Sequence, residues 1–333
     1  MFVTHAPSNL HAECVLFVVA LAASCAVDER PLSGPGDGGV ASGGSAGTMT
    51  STITGTANAG SGGAAGTGAA AADASPDANS SAEAGDAATP IAHLRVAHLV
   101  PDAPAADICF RPHDMPSAPF SIGPMLKAKG GSAGLAYGQV SSYFELPAGT
   151  YDVRTVAPNA ADCASSIGLA DALNLPSLVG GSYTTYAAMG LVQGSATTKI
   201  YSDERSVSSG KTKLRFIYAS PGGAPVDVGT GMGESFIPLL TNVAFGSFGA
   251  GPTALDANGY AELPPLSGAT FASRPTGTTM DRLIVTGVTA PSGAVLSSFE
   301  IGVFGSTTTP LKLLACADLE TPQGAYSSCT VLP

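Results

Sequence analysis

The chain has 333 residues, of which 12% are charged, with 14 Lys and Arg against 25 Asp and Glu and a formal charge of −11. No basic run exceeds two residues, so the electrostatic footprint of a DNA- or RNA-binding protein is missing, and an anionic membrane surface would repel the chain. The length allows two domains, each with a real core, and 42 Gly with 25 Pro make turns frequent.

Residues 1–25 read as an export signal. Cys14 to Ser24, CVLFVVALAAS, is an apolar run of 11 residues, too short to span a bilayer but of the length of a signal-peptide core. It ends in Leu21-Ala22-Ala23-Ser24-Cys25, similar to a bacterial lipoprotein cleavage box, in which the Cys becomes the lipidated first residue. Two features depart from that pattern: Ala22 stands where Leu is usual, and residues 1–13 hold His5 and His11 but no Lys or Arg. Cys25 is the expected lipidation site, and a location in the cell envelope, at the outer membrane or cell surface, follows from it.

Residues 26–90 are a low-complexity linker rich in Gly, Ala and Ser. From Ser33 to Pro90 there are five acidic side chains, no basic one and almost no large apolar residue. Such a segment buries too little apolar area to offset the entropy of ordering, so a disordered tether is expected. About 60 residues of this composition reach roughly 40 Å.

At Ile91 the pattern turns to short alternating strands: HLRVAHLV, ADICFR, GLAYGQV, SYFEL, TYDVRTVA, SYTTYAAMG and TTKIYS. TYDVRTV places Tyr151, Val153 and Thr155 on one face and Asp152, Arg154 and Val156 on the other. Pro147-Ala148-Gly149 predicts a type I hairpin between its flanking strands. The one plausible helix is a short one near GLADALNL. Seven short strands punctuated by turns predict an antiparallel sandwich of immunoglobulin-like size over 91–205.

The pattern then repeats. LRVAHLVPDAPAADI (Leu94 to Ile108) aligns without gaps on LRFIYASPGGAPVDV (Leu214 to Val228), sharing the Leu, the Arg, the turn Pro and the late Asp, Asp107 and Asp227. LAYGQ is echoed by VAFGS, and YFELP by YAELP, with FGAGPTALDANG inserted between those two blocks of the second copy. The closing strands correspond as well, KIYSD ending at Asp203 and KLLACAD at Asp318. This is a duplicated β-domain. The expectation is all-β: two tandem immunoglobulin-like antiparallel β-sandwich domains, 91–205 and 211–333, as beads in series separated near ERSVSSG.

LRVAHLVPDAPAADICF, LAYGQVSSYFELPAGTYDV and GGSYTTYAAMG together resemble the bacterial family catalogued as domain of unknown function 4397, with tandem copies of the kind found in lipoproteins of myxobacterial type. The resemblance covers residues 91–333, more loosely in the second copy, which lacks a clean PAGTY. It implies a secreted or surface-anchored β-sandwich and carries no catalytic motif.

Cys14 falls in the signal and Cys25 is assigned to the lipid. Cys109, Cys163, Cys316 and Cys329 remain, and in an exported chain they should be oxidised. Four cysteines allow three connectivities. Two lie in the first copy and two after the closing strand of the second begins, so Cys109–Cys163 and Cys316–Cys329 are the expected pairs. A metal site would need C-x-x-C spacing or nearby His, and neither occurs.

Gly130-Gly131-Ser132-Ala133-Gly134 matches the G-x-S-x-G pattern of a hydrolase nucleophile elbow, but the same letters recur at 43–47 within the linker. An elbow needs a strand before Ser132, a helix after it and a later His. The histidines are His5, His11, His93, His98 and His113, all upstream, so Ser132 is read as a loop residue. Gly210-Lys211-Thr212, Ser208 with Lys211, and GTGMG (229–233) are fragments of phosphate-binding or acylation motifs, each more simply a turn. His93 and His98 lie five apart and therefore on opposite strand faces; His113 with Asp114 is a weak metal candidate, more simply a solvated tip. Asp102 and Asp107 lack calcium-loop spacing, and a buried Asp bonding turn N–H groups accounts for Asp107 and Asp227. No catalytic residue, cofactor or metal is expected. The leading expectation is a non-enzymatic envelope module whose partner is an envelope protein or a glycan, with membrane contact only through the N-terminal lipid. The alternatives are a carbohydrate-binding module, which would need exposed aromatic platforms, and a hydrolase with its site in the sandwich loops.

Overall fold

The computed structural model describes residues 89–194, 196–319 and 324–333, which belong to one compact unit. Cys25, the export signal and the linker up to residue 88 lie outside the described residues.

The first half runs β1 (Ile91–Leu99), β2 (Asp107–Pro112), a single helical turn α1 (Met125–Ala128), β3 (Gln139–Val140), β4 (Phe144–Pro147), β5 (Tyr151–Val156), β6 (Tyr183–Met189) and β7 (Thr197–Ser202). The second runs β8 (Thr212–Tyr218), β9 (Val226–Thr230), β10 (Ile237–Val243), β11 (Tyr260–Leu263), β12 (Leu266–Pro275), β13 (Leu283–Ala290), β14 (Val295–Ile301), β15 (Lys312–Ala317) and β16 (Cys329–Leu332). The all-β sandwich expectation holds.

The pairing scheme repeats. β1 pairs with β4 on one side and β6 on the other, and β6 pairs with β7; β8, β11, β14 and β15 do the same. Facing these sheets, β2 pairs with β5, and β9 with β12. Within this scheme β1–β6 and β8–β14 are parallel. Alternation reports which face a side chain takes and carries no information on strand direction.

Three local expectations give way. GLADALNL is not a helix: it runs beside β5, with Ala172 bridged to Val153 and Leu175 N–H donating to Tyr151 O at 2.9 Å. The turn at Pro147–Gly149 is not a hairpin either. β4 belongs to the β1 sheet and β5 to the β2 sheet, so the turn carries the chain across the sandwich. Its N–H groups are taken from outside, Ala148 donating to Pro90 O at 2.7 Å and Gly149 to Leu178 O at 3.0 Å.

The third concerns the beads in series, because the two halves share a core. Ala97, Leu99, Val140, Ala187, Met189 and Tyr201 of the first half pack with Ile217, Phe299, Ile301, Leu314 and Cys316 of the second. β1 is thus buried on both faces: Leu94 and Val96 point into their own sandwich while Ala97 and Leu99 point at the neighbour. Four sheets stack, and the middle interface is buried like a domain interior. The chain end adds a strap. Ser142 N–H donates to Ala325 O and Ser327 N–H to Val140 O, both at 2.9 Å, and Tyr326 Oη donates to Gly134 O at 2.9 Å. Ala325 sits in the first-half core, and a Cβ on Gly131 would come within 2.6 Å of its methyl, so only glycine fits there. β16 then returns to the second half, where Cys329 lies directly opposite Cys316 and is bonded to it.

Candidate functional site

The polar residues that the duplication repeats meet at the interface between the halves. Arg95 and Arg215 point from β1 and β8 into the shared layer, and both are 0% exposed. Each crosses to the other half: Arg95 Nη2 bonds Asp318 Oδ1, and Arg215 Nη2 bonds Asp203 Oδ1 at 2.5 Å. Each aspartate is held by its own half. Asp203 Oδ2 accepts from Tyr143 Oη at 2.8 Å and Thr185 Oγ1 at 2.6 Å. Asp318 Oδ2 accepts from Tyr260 Oη at 2.7 Å and Ser297 Oγ at 2.8 Å. The hydroxyls also meet the guanidiniums, Arg95 Nε donating to Thr185 Oγ1 at 2.8 Å and Arg215 Nη2 to Ser297 Oγ at 2.7 Å. The main contacts have their mates under exchange of the halves, the pattern of an isologous interface folded into one chain, but Arg95 Nε also lies 3.5 Å from Asp203 Oδ2 while Arg215 Nε has no hydrogen-bond partner.

The chemistry of this cluster is that of a clamp. Two guanidiniums and two carboxylates are fully buried and mutually compensating. Burial pushes both Tyr143 and Tyr260 well above the ordinary phenol range, so they donate as neutral hydroxyls. Burial also pushes Asp318 up, against the pull of Arg95 and with the nearby Asp203 adding to it. Asp203 feels the same burial, but Arg95 and Arg215 together hold it below the usual carboxylate range. Outside the ring, Arg205 of the ERSVSSG segment donates to Asp318 O and Leu319 O and lies over the Tyr183 ring at 4.1 Å. The supposed linker is therefore fastened down.

The singled-out sequence residues fall elsewhere. Ser132 is exposed in a turn after α1, closed by Gly134 N–H to Gly131 O at 3.1 Å; the strand–Ser–helix order of an elbow is absent there. Lys211 and Ser208 form a turn entering β8, and Gly229 lies within β9. His93 stacks on Tyr183 at 4.2 Å. His98 faces Pro104 O at 3.0 Å, and burial holds it below the ordinary imidazole value. His113 Nδ1 meets Asp152 Oδ1 at 2.7 Å, so it is tied to a carboxylate and is not a free tip. Asp152 is also bonded by Arg111 Nε and by Asn174 N–H, both at 2.9 Å. Burial raises Asp152, but the Asn174, His113 and Arg111 bonds outweigh this and hold it below the ordinary carboxylate value. Asp102 accepts Val192 N–H at 2.9 Å. Among the described residues no group of three His, Cys, Asp or Glu could hold a metal.

Cys109 is bonded to Cys163 and Cys316 to Cys329. All nine tyrosines are withdrawn from the surface: Tyr143, Tyr151, Tyr186, Tyr201, Tyr218 and Tyr260 are buried, and Tyr137, Tyr183 and Tyr326 are half-buried. No tyrosine platform for a sugar ring is presented.

Asp107 is a buried backbone acceptor as expected, but it bonds α1 and its own strand, not the preceding turn. It is 0% exposed, and its carboxylate accepts N–H groups of Ile108 at 2.7 Å, Leu126 at 2.8 Å and Lys127 at 2.9 Å, the last two from α1. Four residues cannot hold a helical turn by themselves; this carboxylate does it from β2. Asp227 is half-buried and accepts from Asn242 N–H and Thr276 Oγ1, both at 2.9 Å. Asp107→Ala strands buried donors and is expected to cost about 2–3 kcal/mol, against about 1 kcal/mol for Asp227→Ala. Urea unfolding of the two variants checks the order; equal losses would refute the capping role.

Residues 92–229 match the model of the family described as domain of unknown function (DUF4397). The match begins in β1 and ends in β9, so it takes in the whole first half and the opening strands of the second. Comparison with curated proteins gives no match.

Proposed function

We infer that the chain is an exported envelope protein anchored by a lipid on Cys25, with residues 26–90 as a tether and the fused double sandwich as a non-catalytic interaction and structural body at its end. The observation that carries this reading is the interlocked interface. The polar side chains repeated between the halves are consumed in cross-linking the two sandwiches, which suits a stiff body borne on a stalk. Two disulfides support an oxidising compartment. Among the described residues no helix is long and apolar enough to cross a membrane; in this reading the attachment is the lipid on Cys25. The second half is read as a further copy of the domain matched at 92–229, and the partner as an envelope protein or glycan.

Metabolic labelling with a radioactive fatty acid tests the anchor. Wild-type chain is expected to carry label and sediment with membranes, whereas Cys25→Ala carries none and appears in the soluble fraction. Equal labelling of both, or retention of wild type in the cytosol, would remove the reading. Co-sedimentation of the oxidised chain with peptidoglycan, envelope polysaccharide, and cells with or without protease treatment then separates glycan from protein partners.

A further inference from the structure

The repeated pairing allows the two sandwich interiors to be compared position by position. Leu94 pairs with Phe144, and its counterpart Leu214 with Ala261. The row Val96–Tyr186–Ile200 corresponds to Phe216–Ser298–Ala315. The pair Phe110–Val153 corresponds to Thr230–Phe271. Phe144, Tyr186, Ile200 and Phe110 are thus replaced by Ala, Ser, Ala and Thr, and only the two Val-to-Phe exchanges return volume. The first interior is further closed by Leu126 of α1 and by Leu175 and Leu178 of the segment before β6.

The second interior is left underfilled. Between its sheets lies a cavity of about 80 Å³ lined almost wholly by aliphatic and phenyl side chains. It reaches solvent: Leu214, Phe216 and Leu263 are only half-buried, whereas Leu94, Val96 and Leu146 are 0%, 3% and 1% exposed. Protein interiors normally close to crystal-like density, so an accessible aliphatic interior calls for an occupant.

One polar atom is aimed into it. Ser273 on β12 stands directly between Val228 and Leu283, both of which line the cavity, and directly opposed strand residues share a face. Ser273 is 2% exposed and its Oγ has no hydrogen-bond partner. A buried hydroxyl without a partner in a native structure asks for a missing one.

We propose that the interior of the second sandwich binds an unbranched aliphatic chain carrying a small polar group that hydrogen-bonds Ser273. The size favours a chain over a ring, since the enclosed space is smaller than the roughly 150 Å³ that admits benzene, while a chain can leave through the open side. The protein's own linker has only scattered large apolar residues, Leu32, Met49 and Ile53, too far apart to fill it together, and a second folded copy cannot enter between two sheets. The proposal is independent of export and of the lipid on Cys25, so either can fail without the other.

Isothermal titration of the full-length oxidised chain with 1-butanol, 1-hexanol and 1-octanol tests it, with benzyl alcohol as the ring control. One saturable site is expected, tightening about fourfold per methylene until the enclosed part is full, with benzyl alcohol at least tenfold weaker than 1-hexanol. Ala261→Phe and Ala315→Ile restore first-half side chains and should weaken 1-octanol at least tenfold without lowering the thermal midpoint. Should Ala261→Phe fail to fold, Ala315→Ile alone decides. Ser273→Ala should weaken 1-octanol about fivefold. No saturable heat with any alcohol, or undiminished binding in the folded filled variants, overturns the proposal.

Discussion

Arg95→Met is expected to lower the unfolding free energy by about 3–5 kcal/mol, the cost of leaving one member of a buried ion pair without its partner. Arg95 is the ion-pair partner of Asp318, which lies 0% exposed and, among the described residues, has Tyr260 and Ser297 as its other side-chain donors. Arg215→Met should cost less. Asp203 would keep Arg95 Nε at 3.5 Å, together with Tyr143 and Thr185. Adding Asp318→Leu to Arg95→Met removes the stranded charge and should restore most of the loss, because apolar replacement of a buried pair is often neutral or better. Urea unfolding followed by two probes is the measurement. The shared core also predicts one cooperative transition for both halves. Recovery of less than about 1 kcal/mol in the double variant would show that the cluster does more than compensate charge.

Cys109→Ala/Cys163→Ala is expected to cost about 4 kcal/mol, the chain-entropy value for the 54-residue separation closed by that bond. The bond lies in a small cluster with Phe120 and Val156, at the root of the segment that brings Leu175 and Leu178 over the first sandwich. Losing it therefore frees the flap that closes that core. Removing Cys316–Cys329, at a separation of 13, should cost about 3 kcal/mol. That second loss should show as faster amide exchange at Ser142 and Ser327, whose N–H groups are bonded where the strap crosses the first half. Unchanged exchange there would mean that the strap holds without its clasp.

Six of the seven strand segments of the first half were legible, because period-two alternation and Gly/Pro punctuation are local signals; the seventh, GLAYGQV, is strand only at Gln139–Val140 and otherwise mostly a turn. The repeated pattern was legible for the same kind of reason: LRVAH and LRFIY, YFELP and YAELP, and the closing Asp203 and Asp318 can be aligned by eye. Asp107 as a backbone acceptor also followed from its place beside a turn. The helix expected near GLADALNL was misread, since β5 offers that segment backbone partners that no local propensity reveals.

The sequence by itself pointed to the strands of the first half, the repeated pattern, the expected cysteine pairs and, within the charged cluster, the repeated Arg and the closing Asp203 and Asp318. It did not determine where those residues meet. Arg95 and Asp318 are separated by 223 positions, and their contact exists because two sheets each bury a second face against the other. Alternation records only that a side chain has a face, not what covers it. The tertiary structure decided that the halves are fused, and that the first interior is filled while the second is open. Filling is a sum over side chains from several strands and connections, and only the fold brings those side chains to one place.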